Sequence, residues 1–388
     1  MSLQEQTAVA EAEGGAAPIA VETSKRVEVA GPWTLFWWKF RKHRIAVISL
    51  WVIVGFYTIA LLADFIAPFD PTETNRRSIY APPQAIHWVL GTEDGGWRFA
   101  PHVQGHVSEL DPKTLARSFR PDPDSVIEVR LFAETAPYRL AGIVPLSHTL
   151  FGPADPSDRF HLLGTDRLGR DMFSRLIHGT RVSMSIGLVG VTISLLLGIV
   201  IGGISGYRGG TTDNLIQRFI ELLQSIPTIP LWMGLAAAIP LTWHPLTVYF
   251  IITVILSLVG WTSLAREVRG KFMSLKNEDF ITAARLDGVN EIRIILGQMV
   301  PSFTSHIIAS VTLAIPIMIL SETALSFLGI GLRSPVVSWG VLLQEAQNVR
   351  SIVQAPWLFW PGAAVVTAVL ALNFLGDGLR DAADPYSR

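Results

Sequence analysis

The chain has 388 residues, of which 49% are hydrophobic and only 16% charged, and its formal net charge is -1 at pH 7. Soluble domains carry about 25% charged residues, so this chain lacks the ionised side chains that would cover a soluble surface. Its 31 basic and 32 acidic residues give no excess of positive charge, which excludes nucleic acid as a partner. The absence of cysteine excludes disulfides and thiolate zinc sites. A polytopic membrane protein is the class that remains.

Long charge-free runs predict the membrane spans, because a helix that crosses a bilayer needs about 20 largely apolar residues. Leu222 to Ala265 is long enough for two spans, separated by a turn at Pro240–Pro245. Four other runs supply one span each: Ile45 to Ala63, Val182 to Tyr207, Ser302 to Ser321 and Ala355 to Gly376. The sequence therefore predicts an all-α polytopic membrane fold with six transmembrane helices.

The positions of lysine and arginine predict the orientation, since both accumulate in short cytoplasmic loops. Lys39, Arg41, Lys42 and Arg44 precede the first span, which places the amino terminus in the cytoplasm. Six spans then place the carboxyl terminus, residues 378–388, on the same side. Residues 1–30 are rich in Ala and Glu without apolar periodicity, so we expect a disordered cytoplasmic tail.

Residues 72–179 are too polar for lipid and form the predicted extracytoplasmic segment between the first two spans. The alternating stretches Val126–Phe132 and Tyr138–Val144 predict strands, and hence a small β-containing insertion. His102 and His106 have the spacing of a helical metal pair, but neighbouring Pro and Gly disrupt a helix and no third ligand is evident. We interpret them as exposed loop histidines.

A short helix is predicted on the cytoplasmic side from Asn277 to Gly288, with Asn277 as its N-cap and Gly288 in the left-handed position after its end. Ala283 and Ala284 have very small side chains, so the helix surface at these positions protrudes little and would fit a groove of another protein. The spacing alone favours the other interpretation, an amphipathic helix on the lipid headgroups.

The spacing of Ala283-Ala284, Gly288 and Pro301 resembles the EAA loop of ABC-importer permeases, the segment that docks into a cleft of the ATPase subunit. Thr282 stands where that pattern often has Glu. The resemblance extends over 278–301 and implies ATPase coupling by five residues: Asp279, Ala283, Ala284, Gly288 and Pro301.

Further segments resemble the dipeptide/oligopeptide permease family of the DppC/OppC type. They are Leu163–Asp171 with Ser174–Gly179, Gly206–Gly210 with Asp213, Ser321–Gly331 with Ser338–Gly340, and Leu375–Asp381 with Asp384-Pro385. The resemblance implies an N-terminal region with the first span over 31–71 and a type I ABC transmembrane domain over 180–377. The stretch from about 84 to 158 is longer than expected in typical members. Four charged residues of the first motif either form local scaffolding, which we favour, or dock a binding protein: Asp166, Arg170, Asp171 and Arg175.

The resemblance implies a permease subunit of an ATP-driven importer of di- or oligopeptides in the bacterial inner membrane. Its implied partners are a second homologous permease in a heterodimer, two ABC ATPase subunits, an extracytoplasmic solute-binding protein and membrane lipid. The chain has no phosphate loop, so we expect no enzymatic activity and no cofactor, with ATP hydrolysed by the partners. Import of oligosaccharides or another small solute, secondary transport and a polytopic membrane enzyme stay open as alternatives.

Three residues are candidates for the transport path or its gating. Pro227 and Pro316 each remove a helix hydrogen bond within a predicted span, and the resulting kinks can line a path or act as hinges. Glu322 stands where the fifth span ends. It lies either within the lipid, where a carboxylate is costly and often functional, or at the outer interface paired with Arg333, which we favour.

Overall fold

The computed structural model describes residues 31–91, 97–110, 117–240 and 242–383, and the predicted tail 1–30 lies outside them. Most of the described chain is helical, and a small antiparallel sheet follows the first spanning helix. The predicted all-α membrane architecture with a β-containing insertion is confirmed. Five helices are long and apolar enough to cross a membrane, and a bent helix pair supplies a sixth span if it crosses as one.

The described chain begins with two helices, α1 (Pro32–Lys42) and α2 (Arg44–Leu61), followed by the one-turn helix α3 (Ala63–Ile66). His43 interrupts the helical backbone between α1 and α2, and its ring Nδ1 accepts a hydrogen bond from the N–H of Ala46. Helix α2 corresponds to the predicted first span.

The insertion is a meander of four antiparallel strands in the order β1-β2-β3-β4. The strands are β1 (Ile86–Gly91), β2 (Trp97–Leu110), β3 (Arg117–Leu140) and β4 (Val144–Pro153). Its core holds the buried residues Val103, Ile127 and Phe160. Val126–Phe132 is strand as predicted, whereas the strand predicted over Tyr138–Val144 is wrong because the chain reverses inside it. Ala141 and Gly142 form that turn, with φ of 49° and 77°.

Helix α4 (Met172–Arg208) begins ten residues before the predicted second span, and α7 (Pro245–Leu275) packs along it. The 37 residues of α4 extend over about 55 Å, more than the roughly 30 Å hydrocarbon layer requires. We infer that the first residues of α4, which are buried by other parts of the chain, lie outside the hydrocarbon layer.

The third span is broken. Helices α5 (Gly210–Ser225) and α6 (Thr228–Ala237) meet at an angle of 81°, with Pro227 at the N-cap of α6. Ten residues reach only about 15 Å, so α6 is too short to cross alone. The run from Leu222 therefore does not form one straight helix: the chain bends sharply at Pro227, where the sequence predicts a kink.

A connecting segment follows α7 and contains α8 (Asp279–Leu286), α9 (Glu291–Ile294), a π-helical turn (Ile295–Met299) and α10 (Val300–Ser302). The remaining elements are α11 (Thr304–Phe327), α12 (Trp339–Leu343), α13 (Val349–Gln354) and α14 (Trp360–Ala383). Helix α11 continues past the predicted end at Ser321, so Glu322 lies inside the helix. The largest core cluster joins α2, α4, α7, α11, α12 and α14.

Candidate functional site

Helix α8 lies between two spanning helices, and the backbone fixes both of its ends. Glu278 occupies the N-cap position in extended conformation, so the predicted N-cap at Asn277 is wrong. Asn277 belongs instead to a turn that the hydrogen bond from the N–H of Glu278 to the carbonyl of Leu275 closes. Gly288 has a φ of 72°, which confirms its predicted left-handed conformation. Because no heavy atom lies within 4 Å of the Cβ that another residue would add there, only the backbone requires glycine.

The two faces of α8 have different surroundings. Phe280, Ala283 and Leu286 are exposed, and Leu286 is 84% accessible. Ile281 and Ala284 are buried. Of the two alanines predicted to face another protein, only Ala283 is therefore exposed. The two buried residues join a cluster with Tyr207, Val268, Phe272, Ile294, Ile295, Met299 and Phe303. Helix α8 is thus attached firmly to the bundle and presents its other face outward.

A specific contact joins α8 to the end of α4. The guanidinium carbon of Arg285 lies 4.6 Å from the ring centroid of Tyr207, and Arg285 Nε donates to the Tyr207 hydroxyl at 3.0 Å. The next residue of α4, Arg208, forms an ion pair of 2.9 Å with Glu291 of α9. The end of α4 therefore contacts the connecting segment on both sides of Gly288.

Helix α4 packs closely on α7 through glycines spaced four residues apart. A Cβ on Gly206 would lie 2.7 Å from the carbonyl oxygen of Arg269, and one on Gly202 would overlap the carbonyl of Ala265. At Gly198 the added atom would lie 2.8 Å from Cβ of Leu264. This spacing is a known helix-packing pattern in membranes, and it is the sequence signal through which this contact could have been predicted.

The other predicted coupling residues lie along the same connecting segment. Asp279 is exposed in the first turn of α8, and Pro301 is exposed in α10. The π-helical turn stands immediately before α10, and proline lacks the N–H that a regular helix would use. Pro301 is separated from α8 by α9 and this turn, so the five predicted residues do not form one surface.

Glu322 is fully buried in α11 and is held by serine hydroxyls. Its Oε1 accepts hydrogen bonds from Ser338 at 2.7 Å and Ser326 at 2.8 Å, and its Oε2 accepts one from Ser183 at 3.4 Å. The favoured pairing with Arg333 is wrong: Arg333 Nε donates to the carbonyl of Gly329 at 3.0 Å. Because Glu322 is fully buried and bonded to Ser183 of α4, its carboxylate faces the bundle.

The same serines hold the short helix α12 against the bundle. Ser183 accepts a hydrogen bond of 3.1 Å from the N–H of Trp339, and Ser338 caps α12 by accepting one of 3.2 Å from the N–H of Val341. The buried Trp339 ring packs edge-on against Phe56 of α2, with centroids 5.6 Å apart. Glu322 thus joins α4 and α11 to the connection that follows α11.

The two proline candidates occupy different environments. Pro227 is exposed at the bend between α5 and α6, whereas Pro316 is buried inside α11. Glu322 and His306 are sixteen residues apart on the same helix, or about 24 Å at the α-helical rise. That separation argues against an acid–base pair between them.

A cavity of about 470 Å³ lies between α4, α7, α11 and α14. Its polar lining consists of serines and, toward the helix ends joined by the α8 segment, ionisable groups. These residues are Ser194, Ser263, Ser310, Glu267, His306 and Arg380. The volume lies in the range of small-molecule sites.

At the opposite end of α4, a buried carboxylate organises the Gly-Thr-Asp motif. Asp166 Oδ1 accepts from the backbone N–H groups of Leu168 and Arg170 at 2.8 and 2.9 Å. Its Oδ2 accepts from Arg170 Nε at 2.7 Å and from the Arg175 guanidinium. Asp166 has no exposed surface, and this geometry supports the local-scaffolding interpretation.

Neighbouring acidic groups extend this scaffold. Asp171 caps α4 by accepting from the N–H of Ser174 at 2.7 Å, and it lies 3.1 Å from His161 Nδ1. Glu345 accepts from the N–H of Arg167 at 2.7 Å. Burial, together with the nearby negative charge of Asp166, raises the pKa of Glu345.

The described residues contain no group of three or more His, Cys, Asp or Glu side chains arranged to hold a metal ion. His102 and His106 both lie on β2, and His102 is buried with Nδ1 2.9 Å from the carbonyl of Ala100. The interpretation of both as exposed loop histidines is therefore wrong, since both lie on a strand and His106 is half-buried.

Comparison with known proteins identifies the family. Residues 198–388 match the binding-protein-dependent transport system inner membrane component family, and residues 31–83 match the N-terminal TM domain of oligopeptide transport permease C. The chain is 35% identical to the oligopeptide transport system permease protein OppC of Bacillus subtilis over 234 residues, which are 60% of this chain and 74% of that protein.

Two further relatives show the same similarity. The dipeptide transport system permease protein DppC of Haemophilus influenzae is 32% identical over 352 residues, covering 90% of this chain and 93% of that protein. OppC of Mycobacterium tuberculosis is 39% identical over 234 residues, covering 60% and 78%. The chain therefore belongs to the family of binding-protein-dependent inner-membrane transport components, as an ABC permease of the DppC/OppC type.

Proposed function

We propose that this chain is a permease subunit of an ATP-driven importer that carries di- or oligopeptides across the bacterial inner membrane. The similar proteins are named as oligopeptide and dipeptide transport permeases, which supports the substrate class. The observation that carries the mechanism is α8, a short helix fixed to the spanning helices on one face and exposed on the other.

In this proposal, α8 transmits the motion of an ATPase subunit. Its exposed residues Phe280, Ala283 and Leu286 seat in a cleft of the ATPase, and closure of the ATPases displaces the helix. The contact between Arg285 and Tyr207 transmits this displacement to α4, and the glycine contacts transmit it to α7. Gly288, Asp279 and Pro301 set the path of the chain on either side of this helix.

The transport path runs along the cavity between α7 and α11, completed by a second, homologous permease. The cavity lining combines serines and ionisable groups with apolar side chains such as Leu264, Leu313 and Ile317, so both polar and apolar groups of a solute can be accommodated. Pro316 in α11 and Pro227 at the α5–α6 bend act as hinges, and Glu322 with its serines holds the segment after α11 in place. A change between two such arrangements gives alternating access.

Both termini are cytoplasmic in this arrangement, and the β-sheet faces the binding protein that delivers substrate. The cysteine-free chain allows a direct test with single cysteines at Ser118 on β3 and Ser274 at the end of α7, both exposed. An impermeant reagent should label position 118 in intact cells and position 274 only after the membrane is opened. The reverse pattern would contradict the orientation.

Reconstitution tests the function itself. Vesicles containing this chain, its partner permease, the two ATPases and the binding protein should accumulate labelled peptide only when ATP is supplied on the ATPase side. Uptake that continues without ATP but stops when the ion gradient is dissipated would identify a secondary transporter. ATP-driven uptake of an oligosaccharide with none of peptide would establish the alternative substrate class.

A further inference from the structure

The β3–β4 hairpin exposes apolar side chains at its turn. Ile143 in the turn and Val144 at the start of β4 are exposed, and Ile143 is 81% accessible. Leu131 and Phe132 are exposed as well, but they lie further along β3, where Leu131 pairs with Phe151. Apolar residues at a hairpin turn are unusual in water, where turns favour Gly, Pro, Asn, Asp and Ser. An apolar environment would remove these side chains from water and stabilise the turn.

The hairpin is attached to the end of the first spanning helix. The backbone N–H of Ala141 donates to Oδ2 of Asp64 in α3 at 3.1 Å. The rings of Phe132 and Phe65 lie 6.3 Å apart, so a second contact joins the hairpin to the next residue of α3. These contacts fix the position of the hairpin relative to the membrane.

The depth of Asp64 in the bilayer follows from its place in the chain, just after α2, and from its charged partners. Helix α2 ends at Leu61 after 18 residues, about 27 Å, which matches the hydrocarbon layer. Asp64 lies three residues later and pairs with Arg181 at 2.8 Å, with His178 Nε2 3.3 Å away. Such charged groups are stable at the headgroup level and costly deeper in the lipid.

The charge of Asp64 is maintained by these contacts. Burial alone would raise the pKa of its carboxyl, but the hydrogen bonds from His178, Arg181 and the Ala141 N–H prevail and hold the pKa below its usual range. The acceptor that attaches the hairpin is therefore ionised at neutral pH. Ile143, two residues beyond Ala141, is within about 7 Å of this level along the chain.

We propose that the hairpin end, residues 141–144, lies in the boundary between headgroups and hydrocarbon of the leaflet in which α2 ends. The occupant of the apolar patch is phospholipid, because a patch at the level of the span's end faces the bilayer edge. A water-soluble binding protein reaches the sheet from the aqueous side. The β-sheet is thereby attached to the membrane at two points, the chain itself and the hairpin.

The test uses a spin label on a single cysteine, Ile143→Cys, in the full chain in nanodiscs of phosphatidylethanolamine and phosphatidylglycerol. The matched control is Val107→Cys on β2, which is also exposed but pairs near the other end of the sheet. Collision of the label with oxygen should exceed collision with a water-soluble nickel complex at position 143. The ratio should reverse at position 107.

A second variant tests the attachment. Asp64→Ala in the Ile143→Cys chain should shift the label toward the nickel complex, because the hairpin loses its acceptor at the membrane surface. A label at position 143 that prefers the nickel complex in the otherwise unchanged chain would overturn the proposal. A label protected from both quenchers would overturn it too, since that pattern indicates a protein partner.

Discussion

Arg285 and Tyr207 are 78 residues apart in sequence, yet the guanidinium of one stacks over the ring of the other at 4.6 Å. This contact joins a connecting helix outside the spanning segments to the last turn of the longest helix in the described chain. A displacement applied to α8 therefore reaches α4 directly. The contact combines a cation–π interaction with a hydrogen bond, so the two components can be removed separately.

Tyr207→Phe keeps the ring under Arg285 and removes the hydroxyl acceptor, whereas Tyr207→Ala removes both. We expect Tyr207→Ala to lower peptide uptake per ATP hydrolysed several-fold and Tyr207→Phe to lower it less, since a hydrogen bond contributes about 1 kcal/mol. The measurement is parallel uptake and ATPase assays on the reconstituted complex. Arg208→Gln is the control, because its ion pair with Glu291 is about half exposed. An unchanged ratio in Tyr207→Ala would refute coupling through this contact.

Gly202→Ala tests the close packing of α4 on α7. The added Cβ would overlap the carbonyl of Ala265, so the helices must separate, and overpacking of this kind costs about 1–3 kcal/mol. The thermal unfolding midpoint of the purified chain should fall. Gly55→Ala in α2, where nothing lies within 4 Å of the added atom, should leave the midpoint unchanged or raise it. Equal midpoints for the two variants would contradict the close packing of α4 on α7.

Glu322→Ala removes the acceptor shared by three serine hydroxyls in the bundle. We expect a loss of about 3 kcal/mol of stability, the upper range for a buried network that loses a member. Glu322→Gln should lose less, because an amide has a similar shape and the hydroxyls can rotate to meet it. Unfolding midpoints of the two variants check this order. A Glu322→Ala chain as stable as the wild type would contradict a structural role for the carboxylate.

The attachment of the hairpin to Asp64 should be insensitive to pH over the neutral range. A carboxyl whose pKa is lowered in the folded state stabilises that state above its unfolded pKa of about 3.9, and this stability is lost as pH falls through the lower native pKa. The accessibility of a spin label at position 143 should therefore stay constant between pH 8 and pH 5. A shift toward water within that window would show that another group controls the contact.

The sequence predicts features that depend on a single local cause. Charge-free runs predict the spanning helices because lipid excludes unpaired backbone groups, and Gly288 predicts a left-handed residue because glycine alone adopts it freely. The exact residue at which a helix begins is harder to predict from the sequence. Asn277 is a good N-cap by type, but a hydrogen bond between Glu278 and Leu275 draws it into a turn.

Features that depend on distant parts of the chain could not be predicted in the same way. The environment of Glu322 requires serines from α4 and from the segment after α11, and nothing in its neighbourhood in sequence identifies Ser183 as a partner. The direction of Ala284 depends on Phe272 and Ile294, which bury one face of α8. The strand predicted at Tyr138–Val144 is wrong because apolar alternation continues through a turn that Ala141 and Gly142 form.

Coupling of ATP hydrolysis to transport through α8 can be tested with two matched glycines of the connecting segment. Neither Gly288 nor Gly297 has a heavy atom within 4 Å of an added Cβ, but only Gly288 has a positive φ. Alanine at Gly288 should therefore strain the backbone by about 1–2 kcal/mol, and alanine at Gly297 should not.

The decisive measurement is the number of peptides imported per ATP hydrolysed by the reconstituted complex carrying each variant. We expect Gly288→Ala to lower this ratio severalfold with the complex still assembled, and Gly297→Ala to keep the wild-type ratio. A wild-type ratio in Gly288→Ala, or an equal loss in both variants, would contradict coupling through α8.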